Sequence, residues 1–284
     1  MLNKHIVSKI IENALLEDMN YGDITTDSLI EDSVIGEAII TTKENGIIAG
    51  LSVAEMVFKI LDQEITFVPK VKDGSEVSKG DDIAIIKGSL KNIIKGERTA
   101  LNFLQRLSGI ATLSRRYADV VKNYPAKVVD TRKTTPGLRA LEKYAVKMGG
   151  CYNHRFNLSD TVLIKDNHIK AVGGISQAIE KCRINIPHTV KIEIEVETIE
   201  QLMEALVAKA DIILLDNMDI ETMKKAFEIT AGRAILEASG NISEEKLEDI
   251  AAIGIDIISV GALTHSVKAM DISLNIVNQK QKTV

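Results

Sequence analysis

Residues 128–139 read Val-Val-Asp-Thr-Arg-Lys-Thr-Thr-Pro-Gly-Leu-Arg, and two more cationic strings follow: Asn153-His154-Arg155 and Leu163-Ile164-Lys165-Asp166-Asn167-His168. Lys165 sits directly behind, and Arg132 shortly behind, an apolar run of the kind that makes strands. Cations gathered where strands stop suit a pocket for a small substrate with several negative charges, because guanidinium forks and ammonium groups match carboxylate and phosphate oxygens. Arg132, Lys133, Arg139, His154, Arg155 and Lys165 are the candidates for that work.

A second group is acidic. Lys191, Glu193, Glu195 and Glu197 alternate with Ile192, Ile194 and Val196, so a period of two puts all four charges on one strand face. If helices cover the aliphatic face, the carboxylates point inward and need a cation or a metal as partner. The plain alternative is an edge strand with a wet face. Asp216 ends the next apolar run and could join Glu195 around one ion. Oxygen ligands without a His/Cys cluster favour Mg²⁺. Ser239-Gly240-Asn241 and Val260-Gly261-Ala262 follow the last two apolar runs, and glycine turns leading into helices can aim backbone N–H groups at a phosphate. Arg98 reads as the start of a helix, where a cation opposes the helix dipole. Cys151, near His154, is read as a bystander thiol.

These groups need a scaffold that brings strand ends together. Strand-like runs fall at 127–130, 162–165, 190–196, 211–215, 234–237 and 255–260, with amphipathic helical stretches at 198–208, 220–230 and 243–253. Such alternation predicts parallel βαβ units, too few for a complete eightfold barrel. A doubly wound sheet would need a glycine-rich turn after its first strand, and Asp130-Thr131-Arg132-Lys133 is no such turn. The expected fold class is α/β, with an N-terminal α/β sandwich domain followed by an open, incomplete α/β barrel. The sandwich is placed at 1–110 and the barrel at 111–265, with a C-terminal helix over about 266–284 packing back on the sandwich. Within the first part, Ile6, Ile10 and Ala14 mark a helix, 22–27 a turn, 36–42 and 46–48 strands, 52–61 a helix and 67–87 hairpin material. Residues 96–123 read as helical, with Gly109 as a break.

The net charge of −5 over 284 residues argues against nucleic acid, which calls for a broadly basic face. Cys151 and Cys182 form no ligand pattern and suit a reducing cytosol. No cationic leader opens the chain, and no uncharged run approaches the ~20 residues of a membrane span. A cytoplasmic protein is expected.

Taken together, residues 130–139, His154-Arg155, the 163–168 string, Glu195, Asp216-Asn217, Ser239-Gly240 and Ser259-Val260-Gly261-Ala262 resemble the quinolinate phosphoribosyltransferases. The likeness runs over nearly the whole chain and takes in Gly22-Asp23-Ile24-Thr25-Thr26 and Glu97-Arg98-Thr99-Ala100-Leu101-Asn102. It implies a homodimer, open to higher assembly, that converts quinolinate and phosphoribosyl pyrophosphate to nicotinate mononucleotide, pyrophosphate and CO₂ with Mg²⁺. It further implies that Arg132, His154, Arg155 and Lys165 bind the quinolinate carboxylates, with Arg98 acting in trans. Lys133 and Lys165 would contact phosphoribosyl pyrophosphate, Thr131 would be a substrate-binding residue, and Glu195 and Asp216 would hold phosphoribosyl pyrophosphate through Mg²⁺. Ser239, Gly240, Asn241, Val260, Gly261 and Ala262 would receive the 5-phosphate. Two rival readings are a paralogue found alongside molybdate transporters, with the same fold and another substrate, and a biotinyl- or lipoyl-like carrier built on the hairpin near Gly74.

Overall fold

The computed structural model describes residues 2–281 and divides into two compact units. One unit takes the chain up to Arg115, then 134–150, then the chain from Leu263 onward; the other takes 116–133 and 151–262.

The first unit is built on a four-stranded antiparallel sheet. Its strands are β1 (Val34–Thr42), β3 (Thr66–Pro69), β5 (Asp82–Ser89) and β12 (Ile272–Gln281), in the order β12-β1-β5-β3. Ala38, Ile40, Phe67, Ile83 and Ile86 are buried in its core. The expected hairpin material resolves into β3 and β5, which pair with each other. A two-residue stub, β4 (Glu76–Val77), turns away instead to pair with β2 (Gly46–Ile47).

Several expectations need correction here. The C-terminal segment is a strand, not a helix: Ile272 and Leu274 are buried and alternate with Ser273 and Asn275, and the segment lies antiparallel along the full length of β1. The first helix, Lys4–Met19, buries Val7, Ile11 and Leu15, one position on from the expected stripe, and leaves Ile6 exposed. Residues 22–27 are more than a turn, because Asp23 caps a short helix, Ile24–Leu29, by accepting the Thr26 N–H at 3.0 Å. Gly109 does not break its helix, which runs unbroken over Leu90–Val121. A Cβ there would lie 2.2 Å from the Lys268 carbonyl oxygen, so the glycine serves close packing.

The second unit is a six-stranded sheet, parallel at every pairing. Its strands are β6 (Lys127–Val129), β7 (Val162–Ile164), β8 (Ile192–Val196), β9 (Ile212–Asp216), β10 (Ile235–Ser239) and β11 (Ile257–Ser259), in the order β6-β11-β10-β9-β8-β7. All six expected strands are present. Helices Ile175–Asn185, Ile199–Val207, Ile220–Thr230 and Glu244–Ile253 provide crossovers, each burying one apolar stripe. Among the described residues the two edges, β6 and β7, do not pair, and only an isolated bridge from Val129 to Tyr152 extends the sheet beyond β6. This is the open barrel. No helix among the described residues is long and apolar enough to cross a membrane.

Candidate active site

The gap in the barrel is where the cations meet. A cavity of about 450 Å³ is lined by Arg132, just beyond β6, by Val162 and Leu163 of β7, and by Arg155, Lys165 and His168. Leu158, Ile186, Pro187 and Val190 form an apolar wall in the same cavity. Burial first, and the neighbouring Arg132 second, press the Arg155 guanidinium toward losing its charge, and Glu193 and Glu195 oppose them. Arg155 Nη1 donates to the Thr161 carbonyl at 3.2 Å. Two guanidiniums pressed together in a half-buried cleft form a seat for an anion.

Asp130 explains how residues distant in sequence converge. Fully buried at the end of β6, it accepts the Asn153 amide at 2.6 Å and the His154 backbone N–H at 2.9 Å. The Asp-Thr-Arg-Lys motif therefore fastens the Asn-His-Arg motif beside it. His154 in turn faces two buried carboxylates: Nε2 lies 3.2 Å from Glu193 and 3.4 Å from Glu237. Burial alone would lower the imidazole pKa, but the two carboxylates outweigh it and push it up to about 10. Burial raises the Glu193 pKa as well, so the three groups together retain an extra proton at neutral pH. Nδ1 accepts the Arg155 N–H at 2.8 Å, which leaves that proton on the Nε2 and carboxylate side.

On the next strand ends, Lys165 is ion-paired with Glu195. Glu195, Glu197, Asp216 and Asp166 line a second cavity of about 180 Å³ with Lys170 and Gln201. Its carboxylate and amide oxygens are donors of the hard kind that Mg²⁺ prefers. Beside it, Gly240 has φ +124°, and a Cβ there would lie 2.4 Å from Asn217 Oδ1, so only glycine lets the two loops approach. Ser239, Gly240 and Asn241 lead toward the helix Glu244–Ile253, whereas Val260, Gly261 and Ala262 lead only into the four-residue helix Ala262–His265.

Three other candidates are not among the residues lining these cavities. Lys133 is exposed, with its N–H on Thr131 Oγ1 at 3.0 Å. Arg139 belongs to the first unit, where its Nε donates to Thr134 at 3.0 Å. Arg98 does not open a helix. It is exposed in the interior of Leu90–Val121, two turns past the start, so the dipole penalty expected for it does not arise. Cys151 is a buried thiol. The sequence reading missed Glu237, whose signal was a lone charge inside the apolar run Ile235-Leu236-Glu237-Ala238. It also missed the clamping role of Asp130 and the place of His168 in the pocket, where the His168 Nδ1 accepts the Lys165 N–H at 2.9 Å.

An open parallel barrel that gathers arginines, acidic strand ends and glycine turns at its mouth is the scaffold of an α/β-barrel enzyme for polyanionic substrates. The profile of the quinolinate phosphoribosyl transferase N-terminal domain matches residues 23–108, and that of the C-terminal domain matches residues 110–275. The chain belongs to the quinolinate phosphoribosyltransferase family. A probable nicotinate-nucleotide pyrophosphorylase (carboxylating) of Bacillus subtilis is 44% identical over 97% of this chain and 95% of its own. A mitochondrial quinolinate phosphoribosyltransferase (decarboxylating) of Nicotiana glauca is 41% identical over 95% of this chain and 82% of its own. The solved nicotinate-nucleotide pyrophosphorylase of Francisella tularensis superposes with a TM-score of 0.93 at 40% identity, covering 98% of both chains.

Proposed function

We propose that this chain transfers the phosphoribosyl group of phosphoribosyl pyrophosphate to quinolinate and releases pyrophosphate and CO₂, giving nicotinate mononucleotide for NAD biosynthesis. The observation that carries this reading is the cavity shared by Arg132, Arg155 and Lys165. Cations gathered in one cleft favour an anionic ligand, and the adjacent carboxylates of quinolinate suit them. The apolar wall at Leu158, Ile186 and Pro187 suits the face of a pyridine ring.

The reaction asks the protein to position groups and balance charge. The pyridine nitrogen attacks C1 of the ribose as pyrophosphate leaves through an oxocarbenium-like state, so no Ser or Cys nucleophile is required. Lys165 and Lys133 would neutralise the departing pyrophosphate. Lys165 is held by Glu195 in the resting protein, so substrate entry exchanges that pair for new ones. Glu195 and Asp216 line the acidic cavity and would hold Mg²⁺, which when bound supplies further charge neutralisation to the pyrophosphate. The Ser239-Gly240-Asn241 and Val260-Gly261-Ala262 turns would receive the 5-phosphate through backbone N–H groups, though not that of Val260, which donates to the Val129 carbonyl at 2.9 Å. Once the ring nitrogen is quaternary, loss of the adjacent carboxylate leaves an ylide that the positive ring stabilises. Orientation then supplies much of the acceleration.

Release of labelled CO₂ from carboxyl-labelled quinolinate tests the reading. Release that needs both phosphoribosyl pyrophosphate and Mg²⁺ is expected, and no release with both present would sink it. The reading extends to a cytoplasmic two-fold homodimer in which the exposed Arg98 serves the partner's site. Mixing Arg98→Ala with Lys165→Ala protein should then restore up to about half of wild-type activity per heterodimer, since one of two equivalent sites is intact. Verified subunit exchange without recovery would confine Arg98 to its own chain.

A further inference from the structure

The anion pocket backs onto His154 and onto two buried carboxylates, Glu193 and Glu237, that the transfer reaction does not itself call on. Glu193 of β8 and Glu237 of β10 are each 1% exposed, and both reach one atom, His154 Nε2, at 3.2 and 3.4 Å. Glu237 Oε1 makes no hydrogen bond, and His154 Nε2, 3.4 Å away, is the polar group that faces it. On the other side of the ring, Nδ1 accepts the backbone N–H of Arg155. The imidazole is therefore gripped at both nitrogens, and Asp130 separately holds the backbone ahead of it. Two buried carboxylates are a poor way to gain stability, because well-packed aliphatic side chains would serve as well or better. Their worth lies in what they orient.

We propose that Glu193 and Glu237 are positioning residues for the carboxylate-binding end of the pocket: they fix the His154 ring, and the ring fixes the backbone of Arg155, whose guanidinium lines the cavity. The inference rests on the quinolinate reading and deepens it by assigning the groups that aim one of its two arginines. The chain of contacts is short: strand carboxylates, ring Nε2, ring Nδ1, Arg155 N–H. A ring free to rotate would release that N–H. A guanidinium displaced by an ångström or so loses much of its hold on a carboxylate.

The test compares wild type, Glu237→Leu and Glu237→Gln. Glu237→Leu is expected to raise the quinolinate KM about tenfold or more while leaving the KM for phosphoribosyl pyrophosphate within about twofold. Glu237→Gln keeps an acceptor for the Nε2 proton and should recover most of that loss. Nitrogen-15 spectra of labelled histidine, recorded without substrate, should show wild-type His154 with a protonated Nε2 and a bare Nδ1, and the Leu variant without this signature. An unchanged quinolinate KM in the Leu variant, equal rises for both substrates, or a wild-type spectrum without the bare Nδ1 each overturns the proposal. So does a stoichiometric transition metal that wild type retains and Glu237→Gln loses, since the three ligand atoms lie within 4.8 Å of one another and the cluster would then be a metal site. Should Glu237→Leu fail to fold, the wild-type spectrum and the Gln variant decide. A bare Nδ1 with near-wild-type quinolinate KM in the Gln variant supports the proposal, and its absence overturns it. If wild type shows no turnover with quinolinate, the functional reading fails alone, because the spectrum is read without substrate.

Discussion

In the antiparallel sheet, Glu37 of β1 stands opposite Lys87 of β5, and the two pair at 3.0 Å with side chains 26% and 52% exposed. In the parallel sheet, Glu193 of β8 occupies the same kind of alternating position yet is 1% exposed, with His154 reaching it from a loop. Alternation tells which residues share a face; it does not tell what covers that face. The first sheet leaves its charged side to water and fills the other with Ala38, Ile40 and Ile86. The second curls on itself, so its inward charges must find partners among the loops that follow its strands. Cross-strand charge is incidental in one sheet. In the other it organises a site.

The sharpest way to break this contrast is to remove the buried imidazole. His154→Ala leaves Glu193 and Glu237 without a counter-group and should cost about 3–5 kcal/mol of stability, read as a lower urea midpoint. A loss no larger than that of a surface substitution would mean the inner face is wetter than the structure has it. Next comes Arg132→Ala, which lines the pocket. It should lower kcat/KM for quinolinate by about 2–5 kcal/mol of transition-state binding while leaving the urea midpoint near wild type.

The pH dependence sharpens the same comparison. Glu193 and Glu237 push the His154 pKa from 6.5 up to about 10, so the folded cluster of these three groups holds one proton more than the unfolded chain between those values. Its contribution is fully present below about pH 6.5 and is lost as pH rises through about 10. The midpoint should decline over that range, and His154→Ala should flatten the decline. A slope unaltered by the substitution would assign the alkaline loss to other groups. The smallest effect is expected at the wet pair: Lys87→Ala should cost only about 0–1 kcal/mol, and less in high salt. A cost approaching that of His154→Ala would erase the distinction between the two sheets.

The strands of the barrel were legible because each is a compact aliphatic run flanked by polar residues, and local composition suffices for such elements. The charged strings at their ends were legible for the same reason. What could not be read was set by distant partners. Ile272 to Asn275 alternate like a strand, but Ile276 and Val277 blur the pattern, and the deciding contact is with β1, far back in the chain. Gly109 reads as a helix breaker until the Lys268 carbonyl beside it is known. Arg98 took its apparent place at a helix start from Gly96, whose missing side chain instead makes room for Phe58 and Leu61. Glu237 stayed hidden because one acid among aliphatics carries no period of its own.

The pairing of β12 with β1 has a consequence for how the chain acquires its structure during synthesis. Residues 34–42 leave the ribosome early, but their outer neighbour, 272–281, comes only after every strand of the barrel. Until then β1 has β5 on one side and an open hydrogen-bonding edge on the other, the kind of edge that invites mispairing between nascent chains. The intervening residues can assemble their parallel sheet from neighbouring βαβ units in that interval. Closing the first sheet requires a contact spanning most of the sequence, a slow step in any folding reaction dominated by distant pairings.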